Sequence, residues 1–270
     1  MTEPIRPGAG EAPARLTSGV RRSVFVRTLA LQASWNHQRM QNLGLLVCLM
    51  PWLRDRERDA DRDRLFCRRY YEFFNTNPYL AGYVIGGLLR LEHEREGAGG
   101  LPRGQSQIFR DSLARALASL GDQLFWLGLR PAAALLGCAL ALTGRPWPVV
   151  GLGLAAAIGQ LVWRWRSLGR GYAAGYDIVS LLGDARWHRA IAGAKRAVRV
   201  LAGLSAGWLL RHAWEGSDQV GTTPWAFLAV VLGAMALPVL VRRRWAGEFM
   251  VLATGLAALL LAFALGPKGS

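Results

Sequence analysis

Cysteine is scarce in this chain: Cys48, Cys67 and Cys138 are far apart, with no C-x-x-C and no histidine at metal-ligand spacing. A disulfide framework and a cysteine-based metal site are therefore excluded, and the three read as buried thiols. The four histidines, His37, His93, His188 and His212, have no Asp–Ser or ligand-type neighbours and read as satisfied polar or interfacial side chains. G-x-S-x-G, H-E-x-x-H and a Walker-type phosphate loop are all missing, which removes the corresponding hydrolase, zinc-protease and nucleotide-binding readings. No nucleic-acid-reading motif accompanies the arginines, although the net charge is +15. No metal, no cofactor and no nucleic-acid partner are expected. The opening MTEPIRPGAGEAPARLTSG has no apolar core of signal-peptide type, so residues 1–20 are expected to form a disordered cytoplasmic tail.

What is present is apolar length. Hydrophobic residues make up 52% of the 270, and they collect in runs, while charges crowd into the first ~120 residues and into short later clusters. Five runs, 124–143, 147–163, 197–213, 225–241 and 249–265, approach the roughly 17–20 residues needed to cross a bilayer. The first contains Arg130-Pro131, which predicts a kink and an arginine that faces protein or water. Arginines are concentrated after 163 and after 241, whereas Glu215 and Asp218 follow the third run without a basic residue. This alternation predicts a multi-pass protein with its N-terminus in the cytoplasm and its C-terminus outside. Tryptophans such as Trp147, Trp163, Trp165 and Trp208 fall near run ends, as interfacial anchors or as packing residues.

Ahead of these runs, residues 21–53 read as one amphipathic helix with Gln32, Asn36 and Arg39 on one face, stopping near Pro51. Arg54 to Arg64 alternates charge so densely that it must be solvated. Pro78 predicts the end of a helix over about 63–74, because proline disfavours helical backbone at Asn77. The next apolar piece, 79–91, is about 20 Å long as a helix and too short to span, which suggests a re-entrant half-helix. Non-helical backbone at membrane depth is tolerated only where protein buries it or where it lines a cavity. A glycine-rich loop near 95–109 and a polar helix over 105–120 complete the region. The fold class is thus all-α and polytopic, with an amphipathic and re-entrant region over 21–122 and a transmembrane region over 123–270.

Four ordered blocks carry a resemblance: LQASWNHQRMQNLG (31–44), EFFNTNPYLAG (72–82) with Leu91-Glu92, LGDQLFWLGLRP (120–131) and GYAAGYDIV (171–179). Together they resemble the IID membrane subunit of the mannose/fructose/sorbose class of the bacterial sugar phosphotransferase system. The resemblance implies a permease at the inner membrane, assembled with a IIC chain in several IIC–IID pairs. Cytoplasmic IIA and IIB components would phosphorylate a hexose-type sugar on entry, and this chain would carry no catalytic residue. It also implies substrate-path residues at Asn36, Arg39, Gln41, Asn75, Thr76, Asn77, Glu92 and Asp122. Tyr70, Gln38, His93 and the segment 115–119 depart from the family pattern, and the alternative is a transport-inactive regulatory or interaction paralogue.

Amides and carboxylates are the groups that sugar hydroxyls need. Each also has a structural reading. Asn75 and Thr76 fit the backbone requirements of a helix break, Glu92 fits an ion pair with Arg90 or Arg95, and Asp122 fits a helix-start cap or a partner for Arg130.

Overall fold

The computed structural model describes residues 16–57, 59–97 and 104–220. Among these the regular structure is all helical, and β-type pairing is confined to two isolated bridges, Asn36 with Met40 and Met40 with Phe74. The expected runs 225–241 and 249–265, and most of the expected tail, lie outside the described residues. The chain divides into two compact units, Met1–Leu201 and Ala202–Ser270.

In place of one helix over 21–53 there are two, α1 (Ser18–Leu29) and α2 (Asn42–Arg54). The chain leaves the helix because its polar backbone groups find partners elsewhere. The Gln41 N–H donates to the Phe74 carbonyl at 2.8 Å, Asn36 and Met40 exchange backbone bonds, and Met40 takes φ 56°. Pro51 lies inside α2, one turn before its end, where it removes a single hydrogen bond. Asp59 then caps α3 (Ala60–Tyr70), its carboxylate accepting from the Asp61 and Arg62 N–H groups. The helix ends four residues earlier than expected, since Phe74 bonds back to the loop before α2.

After the break at Pro78, α4 (Ala81–Gly97) runs for 17 residues, six beyond the expected Leu91. At about 25 Å it remains shorter than a bilayer core of ~30 Å. Protein buries it: Leu80, Ala81, Val84, Ile85, Leu88, Leu89 and Leu91 are inaccessible. Its closest partner is α7 (Pro146–Ala174). A Cβ on Gly86 would stand 2.6 Å from the Tyr172 nitrogen, and one on Gly171 would stand 2.8 Å from the Tyr83 Cα. The two backbones are therefore in contact, which only glycine allows at these positions.

The polar helix α5 (Gln105–Gly121) continues without interruption into a π-helical segment, Asp122–Leu129, and α6 (Arg130–Ala141). The expected disturbance at Arg130-Pro131 is real but takes this form: the Arg130 N–H bonds the Phe125 carbonyl five residues back. Arg130 is exposed and its guanidinium lies 4.2 Å from the Trp126 ring centroid. Gly144, at φ +70°, turns the chain into α7. No residue of α6 is buried, and α7 is buried only from Ser167 onward. Trp147 is 78% exposed, and Val150, Leu154 and Ile158 are also open. The runs Ser106–Ala141 and Pro146–Asp177 are both long and apolar enough to cross a membrane. A 3₁₀ turn (Gly175–Asp177), α8 (Ile178–Leu182) and α9 (Ala185–Val220) follow, and α9 contains the expected run 197–213.

Candidate functional site

The loop between α3 and α4, Tyr71–Leu80, is irregular backbone that is buried at Phe74 and from Thr76 to Leu80, and there each polar group needs a partner. The loop before α2 supplies several. Gln41, 1% exposed, binds Thr76 with both ends of its amide: Nε2 donates to the Thr76 carbonyl at 2.9 Å and Oε1 accepts from the Thr76 N–H at 3.1 Å. The Thr76 hydroxyl donates to the Ala114 carbonyl of α5 at 3.0 Å. Arg39 and Asn42 both donate to the Tyr71 carbonyl, at 3.0 and 3.2 Å, and the Arg39 guanidinium lies over the Tyr71 ring. Asn36 supports Arg39 from below: its Oδ1 accepts from the Arg39 N–H at 2.8 Å and its Nδ2 donates to Asn42 at 3.4 Å.

On the far side of the break, Asn77 begins the turn into α4. Its Oδ1 accepts from the Tyr79 N–H at 3.1 Å, its carbonyl accepts from Leu80 and Ala81, and its Nδ2 donates to Asp122 Oδ1 at 3.0 Å. Gly121 makes room for this pair, since a Cβ there would stand 2.9 Å from Asn77 Nδ2. Asp122 thus holds Asn77 and does not pair with Arg130. Seven of the eight expected residues converge on one loop, and six of them are engaged in holding it.

Asn75 differs. Its side chain is exposed and has no hydrogen-bond partner among the described residues. It keeps a full amide, two donors and an acceptor, free for an outside group. Phe73 and Tyr71 of the same loop are also exposed, at 54% and 45%, the Tyr71 ring with Arg39 over one face. A rigid loop with one open amide and neighbouring aromatic faces suits a ligand rich in hydroxyls.

Glu92 lies in a second cluster. It is buried in α4, and its Oε1 accepts from the Arg69 guanidinium and, at 2.6 Å, from the Tyr70 hydroxyl; Arg95 is 3.9 Å away. Arg90 pairs with Glu94 instead. Burial, then the charge and hydrogen bond of Glu92, hold the Tyr70 hydroxyl well above the usual tyrosine range, so it stays a donor. The two clusters are joined by Arg110, 2% exposed in α5. It donates to the Arg69 carbonyl at 3.1 Å and to Glu72 at 3.3 Å, and Gln107 also donates to Glu72. Arg110, Glu72 and Asn42 were not legible as site residues; an arginine within the polar helix 105–120 is the one signal that could have found them, since its burial shows only in the structure. Among the described residues no three His, Cys, Asp or Glu side chains converge as a metal site.

The comparisons agree on the family. A family model described as "PTS system mannose/fructose/sorbose family IID component" matches residues 15–210. The mannose-specific EIID component of Escherichia coli K12 is 33% identical over 172 residues, 63% of this chain and 60% of that protein. The sorbose-specific EIID component of Klebsiella pneumoniae is 32% identical over 171 residues, 63% of this chain and 62% of that protein. The chain thus matches less than two thirds of the length of these curated relatives. A chain of the mannose transporter ManYZ, solved by cryo-electron microscopy with microcin E492, is 25% identical with a TM-score of 0.57, covering 93% of this chain and 98% of that one. A second solved membrane protein shares the fold at a TM-score of 0.71 and 24% identity, over 95% of this chain and all of that one. With a family model matched over residues 15–210, the chain belongs to the mannose/fructose/sorbose family of phosphotransferase-system IID components.

Proposed function

We propose that the chain is the IID subunit of a mannose-family sugar permease, an integral membrane protein that forms the path of a hexose-type sugar together with a IIC chain. Cytoplasmic IIA and IIB components phosphorylate the sugar on entry, and this chain contributes no catalytic residue. The observation that carries the reading is Asn75, an open amide on a loop whose neighbours Thr76 and Asn77 are fixed by Gln41, Ala114 and Asp122. Asn75 is the sugar-facing residue. Gln41, Thr76, Asn77, Asp122, Asn36 and Arg39 shape the loop, and Glu92 anchors the helix behind it.

Support for membrane placement comes from the exposed apolar surface of α6 and α7, which would be costly in water. The arginine distribution supports an inner-membrane, multi-pass chain with its N-terminus inside and its C-terminus outside. The similar solved chain comes from the mannose transporter ManYZ, which supports a IIC partner, while an assembly of several IIC–IID pairs rests on the family resemblance. Two positions that depart from the family pattern are absorbed locally: Tyr70 donates to Glu92, and Tyr172 OH lies 3.1 Å from His93 Nδ1.

The test is sugar uptake and phosphorylation in a strain lacking this chain, with affinity capture of the IIC partner by the restored chain. Loss of uptake on deletion and recovery on restoration are expected. Undiminished uptake in the deletion strain would end the permease reading.

A further inference from the structure

Three contacts define how the first turns of α9 run against the α6–α7 hairpin. Trp187 meets Trp163 with ring centroids 6.0 Å apart, Ala194 packs where a Gly128 Cβ would stand 2.7 Å from its own Cβ, and Lys195 Nζ donates to Gln123 Oε1 at 3.0 Å. Phe125 and Trp163 are themselves in ring contact at 6.1 Å, so Gln123–Gly128 and Trp163 share one level of the hairpin. From Trp187 to Lys195 the α9 axis advances about 12 Å. Over that length these contacts stay within Gln123–Gly128 and Trp163, so the start of α9 is held against this part of the hairpin.

The level is also where the surface of α7 changes. Val150, Leu154, Ile158, Leu161 and Val162 are exposed and apolar; Trp163, Arg164, Trp165 and Arg166 follow at once. Indoles and arginines at the end of an apolar span mark the headgroup region of a bilayer. On α9, Ile191 and Ala194 face the bundle, while Arg189, Arg196 and Arg199, at helical spacings of seven and three, are exposed on the other side. None of the three has a carboxylate within ion-pair distance among the described residues; Asp184 pairs with Arg186 at 2.7 Å and feels the Arg189 charge only from farther off. Unpaired cations on an exposed helix face at headgroup depth have lipid phosphate as their natural counter-charge.

We propose that the first turns of α9 sit at headgroup depth and that Arg189, Arg196 and Arg199 bind the phosphates of anionic phospholipids. This rests on the membrane placement above. The test is the thermal midpoint of the full chain in vesicles of phosphatidylcholine alone or mixed with phosphatidylglycerol, with flotation of the vesicles as a check on insertion. Phosphatidylglycerol raises the midpoint of the natural chain. The R189Q/R196Q/R199Q variant loses that rise while keeping its midpoint in phosphatidylcholine, and the corresponding lysine variant retains most of it. If the triple variant fails to fold, the single glutamine variants carry the test, each removing part of the rise. Molar salt, with a screening length of about 3 Å, shrinks the rise. A full rise in the glutamine variants would overturn the proposal. So would the same rise from inorganic phosphate in phosphatidylcholine vesicles, or the same loss in the distant exposed R64Q. Loss of IIC capture by the triple variant with the lipid rise intact would make the face a protein contact instead. A chain that floats with neither vesicle contradicts the membrane reading itself.

Discussion

Replacing Gln41 by alanine separates holding the loop from touching the sugar. The Gln41 amide satisfies both backbone groups of Thr76, at 2.9 and 3.1 Å, and is 1% exposed. Truncation leaves a buried N–H and a buried carbonyl without partners. Each orphaned group costs about 1–3 kcal/mol, so together roughly 2–6 kcal/mol, to which the lost side-chain volume adds. For a unit of this size, each kcal/mol lowers the thermal midpoint by about 2–4 °C. Gln41→Glu keeps the acceptor but turns an oxygen toward the Thr76 carbonyl, so it also destabilises. The assay is thermal unfolding of the purified chain in detergent, paired with sugar uptake in cells. A Gln41→Ala chain with an unchanged midpoint and a raised KM would refute the clamp and make Gln41 a sugar ligand.

Three further outcomes are expected. Tyr70→Phe removes the 2.6 Å bond to Glu92 and costs about 1.5–3 kcal/mol, as for hydrogen bonds to charged groups. Because the native hydroxyl titrates above its unfolded value, its contribution is whole below pH ~10 and falls as pH rises further. An alkaline unfolding curve should lose that component in the Phe variant; an unchanged curve would count against the coupling. Gly86→Val drives a side chain into the Leu168–Tyr172 backbone of α7 and should abolish accumulation of folded chain, read by fluorescence-detected size exclusion; wild-type yield would contradict the backbone contact. Cys48 is buried and burial pushes its thiol up to about 12, so it should resist maleimide in the native chain and react in denaturant, by mass spectrometry; native labelling would show that α2 packs differently.

The break at Asn77-Pro78, the short buried helix after it and the apolar hairpin were legible because proline, glycine and apolar length act locally. The split of 21–53 into α1 and α2 was not. Apolar spacing runs on through residues 30–41, and what ends the helix is a bond from Gln41 to Phe74, 33 residues away. Partners of charged groups were misjudged for the same reason. Arg95 does pair with Glu92 at 3.9 Å, as its sequence position suggests, but the closer partners, Arg69 and Tyr70, reach it across the α3–α4 packing. Asp122 meets Asn77, 45 residues earlier, although Arg130 stands nearer in the chain. Residue types suited to sugar recognition were therefore visible, but which are spent on holding the loop is decided by contacts between distant segments. Of the eight, that leaves Asn75 with its side chain open.

Uptake by an Asn75→Ala chain tests this assignment most directly. Asn75 is exposed and unbonded, so its removal should shift stability by no more than about 0.5 kcal/mol. Sugar uptake by the deletion strain restored with this variant, set beside its thermal midpoint and its capture of IIC, should fall at least tenfold while the other two stay at the natural level. Natural uptake with a natural midpoint would show that the open amide does not meet the sugar.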